Sequence, residues 1–154
     1  MTRLPPFQSA AMDKALAEAV RAGERGEVPV GAVITAADGE VLAADGNRTL
    51  ELKDPTAHAE MLVIRQAAAR LGSERLAGCD LHVTLEPCAM CAAAISFARL
   101  RRLYYGAADF KQGAVDNGPR WFTQPTCHHA PEVYGGMGEA AASELLMRFF
   151  KNLR

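Results

Sequence analysis

Two short motifs constrain the fold of this chain more than anything else in it. They are His58-Ala59-Glu60 and Pro87-Cys88-Ala89-Met90-Cys91, each at the start of a segment with helical patterning. Cys88 and Cys91 are three apart, so on a helix both sulfurs lie on one face and can grip one ion. A helix N-terminus supplies partial positive charge and free N–H groups, which favour thiolate over thiol. His58 offers a third donor. Three protein ligands with an open fourth position is the catalytic zinc arrangement, and four protein ligands is the structural one. A shared ion requires a fold that brings two helix starts to one point. Glu60, two residues past His58, lies on another face of a regular helix. It reaches the same point only if its helix approaches end-on. There it would stand beside metal-bound water, whose pKa falls to roughly 7 in good cases, and could carry the water proton to a substrate.

The remaining sequence reads as alternating helices and strands. Met12, Ala15, Leu16, Ala19 and Val20 form the stripe of an amphipathic helix, with Gly23 and Gly26 at its end. Val30–Thr35 and Glu40–Ala44 read as strands joined by Asp38-Gly39, a hairpin signal. Gly46–Thr56 is a polar loop, and Thr56–Leu71 is a second helix stopped by Gly72. Asp80–Leu85 is a short apolar strand. Pro87 suits the first turn of a helix over Ala89–Leu100, where its missing N–H costs little. Leu103–Gly106 is another strand, 107–131 a loop rich in Gly and Pro, Glu132–Tyr134 a short strand, and Glu139–Leu153 a closing helix. A hairpin followed by β-α-β units predicts an α/β fold: a five-stranded mixed sheet with helices on both faces. No linker or repeat divides the chain, so residues 1–154 read as a single domain.

Composition narrows the setting. The formal net charge is −1, which gives no bulk sign of a nucleic-acid partner and leaves room for a local basic patch. Met1–Phe7 lacks the basic-then-apolar run of an export signal. The longest low-charge stretch, Pro87–Ala98, falls short of the ~20 apolar residues that span a bilayer. These features predict a cytoplasmic protein away from membranes. Its four cysteines are then metal-binding, catalytic or buried thiols, not disulfides.

On these motifs the chain resembles the zinc-dependent cytidine and nucleobase deaminases, whose signature is H-x-E with P-C-x-x-C. Val28-Pro29-Val30-Gly31-Ala32-Val33, Gly46-Asn47-Arg48, the run Asp54 to Glu60 and the run Thr84 to Cys91 are similar to the tRNA-specific adenosine deaminase branch. The resemblance extends from about Ala10 onward. It implies a three-layer cytidine-deaminase-like fold and one Zn2+ per chain on His58, Cys88 and Cys91. It implies Glu60 as proton shuttle, with Asn47, Ala59, Pro87 and Asp109 at the substrate. It also implies a homodimer that converts the wobble adenosine of a tRNA anticodon stem-loop to inosine, with zinc-bound hydroxide adding to C6. Ala108 stands where that branch often has a basic residue.

Other readings stay beside these. Cys88 and Cys91 alone would also suit a redox pair, which leaves His58 and Glu60 without a purpose. A free base or nucleoside, such as guanine, cytosine or cytidine, is an alternative substrate. A zinc-stabilised RNA-binding module without turnover is the alternative of another class, and the intact Glu60 argues against it. Cys127-His128-His129 is either a second metal cluster or a loop at the mouth of the site. Arg99, Arg101 and Arg102 are either a solvated face or an RNA contact. With Lys111, Arg120 and Lys151, these three form the candidate phosphate-binding cations. Trp121, Phe122 and Phe149 are either core or stacking platforms for an unpaired base. Met61, Met90 and Met147 fall at core spacings, Cys79 reads as core, and His82 as a strand residue with a local partner.

Overall fold

The structure, a computed structural model, describes residues 6–153. Most of the Met1–Phe7 stretch read for an export signal lies outside the described residues. In chain order the elements are α1 (Pro6–Glu24), β1 (Gly31–Thr35), β2 (Val41–Gly46), α2 (Ala59–Leu71), β3 (Asp80–Leu85), α3 (Ala89–Phe97), β4 (Arg102–Ala107), β5 (Glu132–Tyr134) and α4 (Glu139–Asn152). The sheet order is β2-β1-β3-β4-β5. β1 runs antiparallel to β2 and β3, while β3, β4 and β5 are parallel. The expected mixed five-stranded sheet with helices on both faces is what forms. No described helix is long and apolar enough to cross a membrane.

The period-2 alternation of the strands divides the core. Ala32, Ile34, Leu81, Val83 and Leu103 pack with Val63 of α2 and Ile95 of α3. Val33 and Tyr104 point the other way, to Ala11, Met12 and Ala15 of α1. On that second side α1 approaches unusually closely. A Cβ at Gly31 would lie 2.0 Å from the Ala15 carbonyl oxygen, and one at Gly46 would lie 2.8 Å from that of Glu18. Gly31 pairs with Gly46 across the hairpin, so β1 and β2 both meet α1 without an intervening side chain.

Two helix boundaries differ from the sequence reading, each for a local reason. α2 starts at Ala59, not Thr56, because the Asp54 carboxylate accepts from both the Thr56 N–H (2.8 Å) and its hydroxyl (2.7 Å). That turn uses up residues 54–57 before the helix can begin. These hydrogen bonds, the hydroxyl first, hold the Asp54 pKa below its ordinary value. α3 stops at Phe97 instead of Leu100 because Arg99 adopts a left-handed φ of 61° and the Ala98 carbonyl is taken by the Leu76 N–H.

Two of the arginines are paired within the fold. Arg101 holds the fully buried Asp80 carboxylate by two hydrogen bonds, 3.0 and 2.7 Å. Arg102 pairs with Glu132 at 2.9 Å. Both sit at the Asp80 end of the β3–β4 pair, and Cys88 lies beyond the opposite end. At ~3.3 Å per residue the length of β3 separates them from the metal motif by about 16 Å. Met147, expected in the core, is 72% exposed.

His82 is 1% exposed and stacks on Tyr104 at 4.9 Å, with its Nε2 3.1 Å from the Thr35 hydroxyl. Burial pushes its pKa down to about 4, against a weaker upward pull from Asp80. The unfolded chain binds a proton on His82 near pH 6.5 that the folded chain refuses. The stabilisation is therefore whole above about pH 6.5 and is lost as pH falls toward 4, by about 3 kcal/mol in all. Denaturant midpoints measured at pH 7.5 and 4.5 should converge in His82→Gln relative to the parent. An equal acid loss in both proteins would refute this assignment.

Candidate active site

β3 leads into Glu86-Pro87 and then α3. The polar loop after β2 leads through the Asp54 turn into α2. Both helices therefore begin at the same end of the sheet, with their N-termini close together. His58 and Cys88 are the N-cap residues, each with extended backbone and neither using its side chain as a cap. Those side chains are free to converge. The His58 Nδ1 lies 3.6 Å from both the Cys88 and the Cys91 sulfur. Pro87 precedes the N-cap and so stands one step outside the helix it was expected to open.

The donor set fits zinc. Two thiol sulfurs and one imidazole nitrogen lie within 4.8 Å of one another, the sole such group among the described residues. A tetrahedral ion about 2.3 Å from sulfur and about 2.0 Å from nitrogen would space those donors about 3.5 Å apart, close to the 3.6 Å found. Hydrogen bonding from Cys91, then from His58, brings the Cys88 thiol down to about 4, while the contact with Cys88, then burial, pushes Cys91 up. His58 is raised, chiefly by its contact with Cys88. Of the two sulfurs it is Cys88 that is held toward the thiolate.

Beside the trio is a cavity of about 210 Å3 whose wall includes Asn47, Ala59, Glu60 and Asp109. Glu60 is 4% exposed. Burial pushes its carboxyl up to about 6, with the Cys88 charge adding to the effect. Asn47 is 7% exposed, and its side-chain oxygen has no hydrogen-bond partner. Its backbone is held from both sides, by the Val30 carbonyl at 3.0 Å and by Arg25 at 3.1 Å. Pro87 is buried but does not line the cavity; its carbonyl accepts from Ala114 N–H at 2.9 Å.

Several side chains that shape this site went unassigned in the sequence. Val28, Val30 and Gln112 line the cavity. Glu27 is buried and accepts from the backbone N–H groups of Leu50 and Glu51, pinning the loop that carries Thr49. Glu86 does the same for residues 109–117. The only available signal was an acid placed beside apolar residues, as in Glu27-Val28 and Leu85-Glu86-Pro87. Cys127 and His129 form no metal cluster. The Cys127 sulfur donates to the His129 carbonyl and lies 3.5 Å from the Ser96 hydroxyl, and His129 reaches the Leu100 carbonyl. Trp121 and Phe122 pack against the core.

Residues 6–107 match the family described as the cytidine and deoxycytidylate deaminase zinc-binding region. A tRNA-specific adenosine deaminase of Agrobacterium fabrum is 64% identical over 143 residues, 93% of each chain. One from Aquifex aeolicus is 48% identical over 141 residues, 91% of each. A solved structure from work on A-to-I editing by tRNA:A34 deaminases superposes with a TM-score of 0.88 at 64% identity, covering 90% of this chain and 99% of that one. The end-on helices, the His-Cys-Cys trio and the buried glutamate are the parts such an enzyme needs, and the chain belongs to the zinc-dependent cytidine and deoxycytidylate deaminase family, alongside the tRNA-specific adenosine deaminases.

Proposed function

We propose that this chain hydrolyses the wobble adenosine of a tRNA anticodon to inosine, releasing ammonia. The observation that carries the reading is a buried, proton-competent Glu60 in one small cavity with the metal-binding trio and an unpartnered Asn47 oxygen. Its substrate is taken from relatives that match over nearly the whole chain. His58, Cys88 and Cys91 hold the zinc, which supplies the Lewis acidity that makes water a usable nucleophile at neutral pH. Glu60 takes a proton from the attacking water and returns it to N1 of the adenine. The proton left on the added C6 hydroxyl then passes to the exocyclic nitrogen. A C6–O bond forms, the C6–N bond breaks, and ammonia leaves. The Asn47 oxygen accepts a hydrogen bond from the nucleoside, while Ala59 and Asp109 bound the pocket and Pro87 supports its rim.

A stacked base cannot enter a cavity this small, and an unpaired loop makes extrusion cheapest. The phosphates on either side then meet Lys111, Arg120 and Lys151, all exposed. We further read residues 1–154 as one cytoplasmic deaminase domain working as a homodimer. The outer face of α3, where Phe97 is 73% exposed, supports that assembly.

The test is inosine formation in an anticodon stem-loop, run beside free adenosine, cytidine and guanine. Turnover should be confined to the stem-loop and weaken with salt, at a log–log slope near −0.7 per neutralised phosphate. Lys111→Glu should raise KM for the stem-loop and flatten that slope by about one phosphate's share. Salt-insensitive turnover of a free base, with no inosine in RNA, would transfer the assignment to a free-base deaminase.

A further inference from the structure

Glu86 ends an apolar strand and precedes Pro87-Cys88, a place where a charged side chain has no evident reason to be buried. It is nonetheless 2% exposed. Its carboxylate accepts five hydrogen bonds, all from one loop. Asp109 N–H (3.0 Å) and the Asn117 side-chain amide (2.7 Å) reach Oε1. The N–H groups of Val115 (3.1 Å), Asp116 (3.0 Å) and Asn117 (3.1 Å) reach Oε2. Two carboxylate oxygens offer about four lone-pair sites, so the group is saturated. It has nothing left for a substrate or for a proton in transit.

The loop closes tightly around this group. A Cβ at Gly113 would fall 2.6 Å from the Glu86 Cδ and 2.3 Å from the Asp109 carbonyl oxygen, so residue 113 has room only for glycine. Gly113 forms a bridge with Cys88, and Ala114 N–H donates to the Pro87 carbonyl. Tyr105 adds a hydrogen bond to the Asp116 carboxylate. The same loop carries Asp109 and Gln112 to the cavity wall, which Glu86, Val28 and Val30 also line. One buried anion thereby joins the metal motif to the 109–117 wall of the pocket.

We propose that Glu86 is a positioning residue for deamination: through its five hydrogen bonds it fixes the 109–117 loop as the substrate-side wall of the cavity it borders, and so governs substrate affinity through that loop. The proposal deepens the tRNA reading above and rests on it for the choice of substrate. Glu86→Gln keeps the shape but turns an amide N–H2 toward at least two of the five donors. With Glu60 and the zinc ligands untouched, the loss should fall on KM.

The experiment uses the zinc-loaded full chain, assayed well below its melting temperature on an anticodon stem-loop. Glu86→Gln should retain one zinc per chain and lose on the order of 10–100-fold in kcat/KM, with kcat within about threefold of the parent. Amide hydrogen exchange at Asp109, Val115, Asp116 and Asn117 should accelerate, and exchange in β1 and β3 should not. Glu86→Asp, which keeps the charge, should recover part of the affinity. Should Glu86→Gln fail to fold, Asn117→Ala removes one of the five donors and should raise KM in the same direction. A folded Glu86→Gln with parental KM, or unchanged exchange in the loop, overturns the proposal, as does an Asn117→Ala with parental KM if that variant stands in. A parent that turns over free cytidine or guanine but not the stem-loop overturns the RNA reading alone. The same KM comparison on that free substrate then decides Glu86.

Discussion

Glu60→Gln should leave a folded, zinc-loaded protein whose deamination is slower by at least about 10²–10⁴-fold, the range typical of a lost general acid–base group. The side chain is buried in the pocket and is no member of the metal-binding trio. The isosteric amide fills the same space and cannot relay a proton. Zinc analysis together with ammonia release separates the two roles. Unchanged zinc with abolished turnover is the expected pair of results. Turnover within a few-fold of the parent would remove Glu60 from the chemistry, and loss of zinc would make it a ligand.

The second large effect is on the metal itself. Cys88→Ala and Cys91→Ala should each leave far less than one zinc per chain after dialysis and no measurable deamination. Each removes one of only three donors, and a two-ligand site with water in the remaining positions binds weakly. The fold should survive. A chain of 154 residues buries enough apolar surface to hold together without a metal, and the core under α2 and α3 is built from residues such as Val63 and Ile95. Cys127→Ala is the matched control: its sulfur serves the 127–129 loop, so zinc and activity should both persist. Full zinc in both site variants would dismantle the centre described above.

Much of this was legible because it is local. The stripe from Met12 to Val20, the Asp38-Gly39 turn and the apolar run Asp80–Leu85 each carry their own period or breaker, and each became the expected element. The trio was legible for a different reason: ligand chemistry restricts which residues can appear at which spacing. What escaped depends on partners distant in sequence. Arg101 looks like any surface arginine until β3 brings Asp80 beside it. Glu86 has no meaning without the loop some thirty residues on that wraps it. Met147 misled because α4 covers the sheet with little more than Ala142 buried, so a periodic apolar position there is not a core position. The start of α2 was misjudged because the Asp54 side chain competes for the backbone that the helix would otherwise claim.

The glycine seam between α1 and the β1–β2 hairpin bears on how this pocket can be re-tailored. Val30 and Asn47 are the immediate neighbours of Gly31 and Gly46, the two points where the strands touch helix backbone with no side chain between them. That wall therefore has no room to retreat. Bulk added at Val28 or Val30 goes straight into a cavity of about 210 Å3, because close-packed backbone transmits strain instead of absorbing it. The side formed by Val30 and Asn47 therefore acts as a fixed gauge. Variants that enlarge the gauge residues should lose activity on the original base before they gain any on a new one.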